Sequence, residues 1–306
     1  MPGPVAVYLD GHQNGRLHLQ HGPIDLVIGV DGAHSLELEA YQRAHAFALA
    51  HRRFKMILDE LVAELPLLKR QALPDGAEPE GEVARRMWRA VLPFAADFFI
   101  TPMAAVAGAV ADELLAAMLS GFTAENRPHR IYVNNGGDIA LHLEQDASFR
   151  VKIAREDGAD LGDFAVTAED RCRGVATSGR GGRSLSMGIA DSVTTLSESA
   201  ASADAAATII ANAVDLPGHP AVFRAPADTV VDDSDLGARL VTTRVGALTD
   251  QDIAFALDKG EAMAENLRRR SLIERSVLFL GRHGRLVAPP HQSAPHIPIP
   301  EEKLYA

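Results

Sequence analysis

One cysteine, Cys172, is all that the 306 residues contain. A single thiol excludes an intrachain disulfide and a thiolate metal cluster. Positive charge is also short: 30 Lys and Arg against 41 Asp and Glu leave a net charge of -11. That balance excludes a general binder of nucleic acid or anionic membranes and still permits a local basic pocket. Long hydrophobic runs are missing too. The most apolar stretch, residues 91–119, is interrupted by Pro93, Asp97, Pro102, Asp112 and Glu113, so no uninterrupted membrane-crossing span is expected. The opening Met1-Pro2-Gly3-Pro4 has no basic segment followed by an apolar one, and neither a secretory signal nor a lipoprotein anchor is read there. A soluble, cytoplasmic protein is the expectation. There is no internal repeat. No histidines show a compact zinc spacing; His45 and His51 fall on a charged helix. What is present is a hydrophobic share of 47 %, enough over this length to bury a full core.

Weak alternation at 5–9 and 26–30 predicts short antiparallel strands. From 37 to 68 the apolar positions Phe47, Phe54, Ile57, Leu58, Leu61 and Leu65 recur at helical spacing. A polar loop rich in Pro and Gly follows at 71–81, then a helix from Glu82 that Pro93 is expected to end. Residues 104–119 are nearly all good helix formers, with Gly121 as a stop. Strands are predicted at 131–133, 139–143, 149–153 and 191–196, a helix at 202–214, an acidic loop at 222–235, and short helices at 245–257 and 260–267. A terminal hairpin joins 276–280 to 286–287. The expected architecture is one α+β domain over 1–288, antiparallel sheet with packed helices around a ligand groove, and an extended proline-rich tail over 289–306.

Three local patterns carry chemistry. In Asn134-Asn135-Gly136-Gly137-Asp138 the glycines accept positive φ and the asparagines tolerate left-handed backbone. The segment serves either as a plain hairpin turn or as a set of exposed amides beside an anionic ligand, with Asp138 bonding the ligand or the turn. Thr177-Ser178-Gly179-Arg180-Gly181-Gly182-Arg183 puts small residues beside two cations, a composition suited to phosphate. It lacks the Gly-Lys-Ser/Thr ending of a Walker loop and the glycine spacing of a dinucleotide fingerprint. Asp204 and Thr208 stand four apart, on one face of a helix. A carboxylate and a hydroxyl suit Mg²⁺; equally, Asp204 near a helix start can bond free amides and Thr208 can bond within the helix.

Taken in order, these segments resemble the ApbE-like superfamily, the flavin transferases once called thiamine-biosynthesis lipoproteins, and within it a short cytoplasmic branch. The resemblance rests on Pro128 to Leu141 with its Val-Asn-Asn-Gly-Gly-Asp-Ile, Gly174 to Gly179 (Gly-Val-Ala-Thr-Ser-Gly), Arg183 to Val193, Ser202 to Thr208 and Ala107-Gly108-Ala109-Val110-Ala111-Asp112. It implies Mg²⁺-dependent binding of FAD, or of a related diphosphate-containing nucleotide, and transfer of its FMN portion to a threonine of a protein acceptor. Residue by residue, Asp204, Thr208 and the Ala107 carbonyl match the metal ligands. Asn135, Gly136, Gly137 and Asp138 match the turn beside the cofactor, and Thr177, Ser178 and Gly179 the segment near its phosphates, with Arg180 and Arg183 adjacent. The family's lysine in the alanine-glycine helix has no counterpart, since no lysine lies between Lys69 and Lys152. Its His-Ile-x-Asp-Pro segment is replaced by Met187-Gly188-Ile189-Ala190-Asp191, which leaves Asp191 or Asp138 as the candidate proton acceptor. A binding or assembly protein that keeps the scaffold without catalysis is the alternative.

Overall fold

Side chains that alternate between two faces build the large sheet of this protein. A computed structural model describes residues 3–9, 15–32, 35–154, 160–182 and 184–289. The elements β1 (Val5–Leu9), β2 (Arg16–His21) and β3 (Ile24–Asp31) form an antiparallel meander. In β3, Leu26 and Ile28 are fully buried while Asp25 and Val27 face the other way, the period-2 pattern of a strand with one covered face. Next come α1 (Leu36–Leu68) and α2 (Glu82–Ala95), then a 3-10 turn at Pro102–Ala105 that leads into α3 (Val106–Leu119). Ser35 caps α1 by accepting the Leu38 amide, with Glu37 and Glu39 in the first turn, where acid favours the helix dipole.

The second half contributes β4 (Arg130–Asn135), β5 (Asp138–Leu143), the hairpin β6 (Ser148–Ala154) and β7 (Asp160–Thr167), then β8 (Gly174–Ser178), β9 (Ser192–Ser197) and α4 (Ala200–Ala213). It closes with β10 (Val222–Pro226), the short α5 (Ala227–Val230), β11 (Leu240–Val245), α6 (Asp250–Arg269), β12 (Arg275–Leu280) and β13 (His283–Val287). Nine strands make one sheet in the order β1-β2-β3-β4-β5-β8-β9-β12-β13, every neighbouring pair antiparallel. The helices lie on one face: α1 over β2 and β3, α3 over β4 and β5, α4 over β8 and β9, α6 over β12 and β13. The β6–β7 hairpin covers part of the opposite face, enclosing a second core that includes Leu141, Phe164, Val175 and Phe279. This is a mixed architecture of helices and several antiparallel sheets.

Several expectations change. Helix α2 continues two residues past Pro93; the proline removes one hydrogen bond in the last turn, and buried Phe94 holds that turn against the core. Residues 222–235 are not a loop throughout, because β10 pairs with β11. One helix, α6, replaces the two expected across Gly260, whose missing side chain lets the helix press on Val214 and Leu278. Pro102–Leu119, which the interrupting residues seemed to exclude as a span, is a helical stretch long and apolar enough to cross a membrane; more than half of it is buried against the rest of the fold. From residue 290 the expected proline-rich tail lies outside the described residues, as does Arg183.

Cys172 sits in the second core, and burial, followed by the neighbouring charges of Glu274 and Asp170, pushes its thiol up to about 12. The thiolate is the reactive form. At pH 8 the native protein is therefore expected not to react with an aromatic disulfide reagent, whereas one equivalent should react after unfolding in urea; rapid labelling of folded protein would contradict this packing.

Candidate functional site

The glycine turn joins β4 to β5 as a two-residue hairpin. Gly136 and Gly137 carry φ of 66° and 112°, values a side-chain-bearing residue rarely adopts and which such turns require. Asn134 completes the turn, its Oδ1 accepting the Gly137 amide at 2.9 Å. The next residue points the other way. Asn135, 4 % exposed, donates from Nδ2 to the Ala107 carbonyl at 3.0 Å on the helix side of the sheet. Asp138 faces the same side, and its Oδ1 accepts the Thr177 amide at 3.2 Å, tying β5 to β8.

At this point α3 and α4 cross in contact. Gly108 has no side chain, and Ala200 and Ala201 fill the space. No side chain caps the start of α3 from its own flank. Instead the Asp204 carboxylate, on α4, accepts the Gly108 amide at 3.2 Å and also bonds the Ala107 amide. In the reverse direction Asp112, on α3, accepts the amides of Ala200 at 3.0 Å and Ala201 at 2.9 Å. Each helix thus satisfies two free donors of the other, and each carboxylate sits at a positive helix end. Burial first, then the charge of Asp138, push the Asp204 carboxyl well above the ordinary carboxylate range; the Gly108 and Ala107 amides pull the opposite way. Asp112 is likewise raised, mainly by burial. One turn along α4 from Asp204, Thr208 Oγ1 lies 3.5 Å from Ser178 Oγ at the end of β8.

The small-residue segment divides. Ser178 faces α4, whereas Thr177 turns its hydroxyl to Thr194 on the other side of the sheet, 2.9 Å away. Gly179, at φ 143°, lies where a Cβ would stand 2.6 Å from the Asp191 carbonyl oxygen. The loop's amides are largely used within the protein: Arg180 donates to Ala190 O, Gly181 to Asp191 O and Gly182 to Gly179 O. Arg180 pairs with the Asp191 carboxylate at 2.5 Å, and Asp191 also accepts the Gly281 amide at 2.6 Å. Asp191 therefore clasps the loop to the β12–β13 turn. It is not near the Asp204 crossing by any bond that these residues make.

Six of the sequence-selected residues come together on the helix side: Asn135, Asp138, Ser178, Asp204, Thr208 and the carbonyl of Ala107. They bring carboxylate, hydroxyl and carbonyl oxygens, the donor chemistry of a hard divalent cation. Among the described residues no three His, Cys, Asp or Glu side chains gather as metal ligands, so any cation here would lean on hydroxyl, carbonyl and ligand oxygens. A surface hollow of about 340 Å³ lined by Asp25, Val27, Asn134, Gly136 and Gly137 lies beside the glycine turn. It belongs to the sheet face that Asn134 points to, not to the face of Asp204. Sequence reading had no signal for Asp112 as the partner of α4, because the two are 88 residues apart.

Fold and geometry define a protein of antiparallel sheet and packed helices with an oxygen-rich cluster at a helix crossing. The family described as "AbpE bacteria" matches residues 7–287, and the chain belongs to that family. A UPF0280 protein of Methanopyrus kandleri is 33 % identical over 179 residues, 58 % of this chain and 68 % of that one. A UPF0280 protein of Methanocaldococcus jannaschii is 38 % identical over 125 residues, 37 % of this chain and 45 % of that one, so the chain spans less than half the length of the latter. Among solved structures, the flavin transferase ApbE from Vibrio cholerae is 15 % identical, with 94 % of this chain and 98 % of that one covered at a TM-score of 0.35. The ApbE protein from Thermotoga maritima is 13 % identical, with 82 % and 99 % covered at a TM-score of 0.32.

Proposed function

We propose that this protein binds a flavin or nucleotide carrying a diphosphate, with a divalent cation such as Mg²⁺, in a groove at the crossing of α3 and α4. The observation that carries the reading is the convergence of Asp204, Thr208 and the Ala107 carbonyl beside Ser178, Asn135 and Asp138. Asp204, Thr208 and the Ala107 carbonyl would hold the cation, and Asn135 already orients that carbonyl. Bound there, the cation would polarise a phosphate and stabilise developing negative charge. Gly136 and Gly137 keep the rim of the β4–β5 turn free of side chains, Thr177, Ser178 and Gly179 border the ligand's phosphates, and Arg180 and Arg183 supply positive charge. Asp138 or Asp191 serves as proton acceptor in an FMN transfer to a protein threonine. The described residues up to Val287 act as one domain, and the protein belongs to the short cytoplasmic branch of its superfamily.

Calorimetry with FAD, FMN, ADP and riboflavin, each with and without Mg²⁺, tests the ligand assignment. FAD and ADP should bind more tightly than riboflavin and require Mg²⁺; absence of binding by all four would overturn it. Asp204→Asn keeps the shape and removes the charge, so Mg²⁺-dependent binding should weaken at least about tenfold while Mg²⁺-independent binding changes little. A lower melting temperature with unchanged Mg²⁺-dependent affinity would leave Asp204 a capping residue alone. The noncatalytic alternative draws support from the clasp that engages Asp191 and from the missing lysine. With FAD, Mg²⁺ and threonine-containing acceptors, transfer would add the mass of FMN to the acceptor and release AMP; tight binding with neither product across a broad acceptor set favours the alternative.

A further inference from the structure

We propose that Asp112 is the positioning residue for the cation side of this site, acting through Asp204; the inference rests on the reading that Asp204 and Thr208 hold a divalent cation. The first two amides of α4 have no partner on their own helix, and Asp112 supplies one carboxylate oxygen to each, Oδ1 to Ala200 and Oδ2 to Ala201. Ser199 then satisfies Ser202, so the start of α4 is held from α3 at one point and from its own flank at the next. Asp204 stands one turn further along α4 and reaches back to the amide of Gly108, one turn before Asp112 on α3. The two carboxylates close a reciprocal clamp around the contact of Gly108 with Ala200. Sliding or rotating α4 against α3 breaks the Asp112 bonds and the Asp204 bond together, and it changes the placement of Asp204 and Thr208 relative to the Ala107 carbonyl. Asp112 makes none of the proposed cation contacts itself; it fixes the distance between donors that come from two helices.

Asp112→Ala, Asp112→Asn and, as a control, Glu113→Gln separate this role from plain stability. Glu113 lies on the same helix and bonds Arg53 of α1 and Arg86 of α2, not the amides of α4. Two readouts are taken on the full chain below the unfolding transition of each variant: calorimetric affinity for ADP with Mn²⁺ or Mg²⁺, and hydrogen exchange at the Gly108 amide. Loss of a residue that orients a metal ligand typically weakens the cation about 10- to 100-fold. Asp112→Ala is expected to lose cation-dependent ADP affinity by at least about tenfold and to expose the Gly108 amide. Asp112→Asn, which keeps one acceptor oxygen, should fall between it and the parent, and Glu113→Gln should lower the melting temperature without either change. Equal affinity and unchanged Gly108 exchange in Asp112→Ala would overturn the proposal, as would the same losses in Glu113→Gln. A parent protein that binds neither cation nor ADP would overturn the site reading itself, and the positioning role with it, a result distinct from an unaffected variant.

Discussion

Gly108→Ala is expected to cost about 3 kcal/mol or more of folding stability, although alanine in place of glycine inside a helix is ordinarily worth close to 1 kcal/mol in the opposite direction. Steric contact decides the sign. The added methyl would run into the carbonyl of Ala200 and stand 2.6 Å from the amide nitrogen of Ala201, and both are main-chain atoms in the first turn of α4. No rotamer relieves that overlap, so the helices must separate, stretching the bonds of Asp112 to Ala200 and Ala201 and of Asp204 to Gly108. Gly260→Ala provides the contrast. There the methyl meets side-chain atoms of Val214 and Leu278 rather than main chain, and side chains can yield part of the way where main chain cannot, so the change should cost less than Gly108→Ala. Urea unfolding of both variants measures the difference. Equal midpoints for Gly108→Ala and the parent would show that the two helices do not touch at this position.

A second large effect is expected where three helices meet. Glu113 of α3, 8 % exposed, accepts from Arg53 Nε of α1 at 2.7 Å and from Arg86 Nε of α2 at 3.0 Å. Arg53 also forms two bonds to Glu60, at 2.9 and 2.7 Å. Glu113→Gln preserves the packing and removes the charge, leaving Arg86 without its carboxylate and Arg53 with one of two. Breaking one side of a buried ion pair typically costs 3–5 kcal/mol. Arg86 is partly exposed and Arg53 keeps Glu60, which places the expected loss near the lower end, about 3 kcal/mol. Because the network is largely buried, the loss should persist in high salt. A destabilisation that vanishes with added salt, or never appears in thermal unfolding, would mean that Glu113 behaves as a surface charge.

Legibility differed between helices and strands for a physical reason. Helix α1 was readable because Phe47, Phe54, Ile57 and Leu61 repeat at helical spacing and all are buried. In β2 the apolar positions Leu17 and Leu19 alternate with Arg16, His18 and Gln20, too short and too polar a run to stand out by itself. Strands β10 and β11, which end at Pro226 and begin at Leu240, are separated by a stretch longer than either and become strands through each other. Cross-strand pairing supplies much of a strand's stability, and it is not local.

By itself the sequence determined that Asp204 and Thr208 share one side of α4 and that the β4–β5 turn is one only residues tolerant of positive φ could make. The ordered motifs also pointed to the ApbE-like superfamily. Only the tertiary structure decided what those faces meet. It set Asp204 against the start of α3 and Asp112 against the start of α4, turned the Thr177 hydroxyl toward Thr194, and engaged Asp191 with Arg180 and Gly281. Periodicity follows from backbone geometry within a few residues, and so it is written locally. The partners of a helix's free amides or of a buried carboxylate are whatever the folded chain brings within about 3 Å, often from near 100 residues away, and no local pattern encodes them.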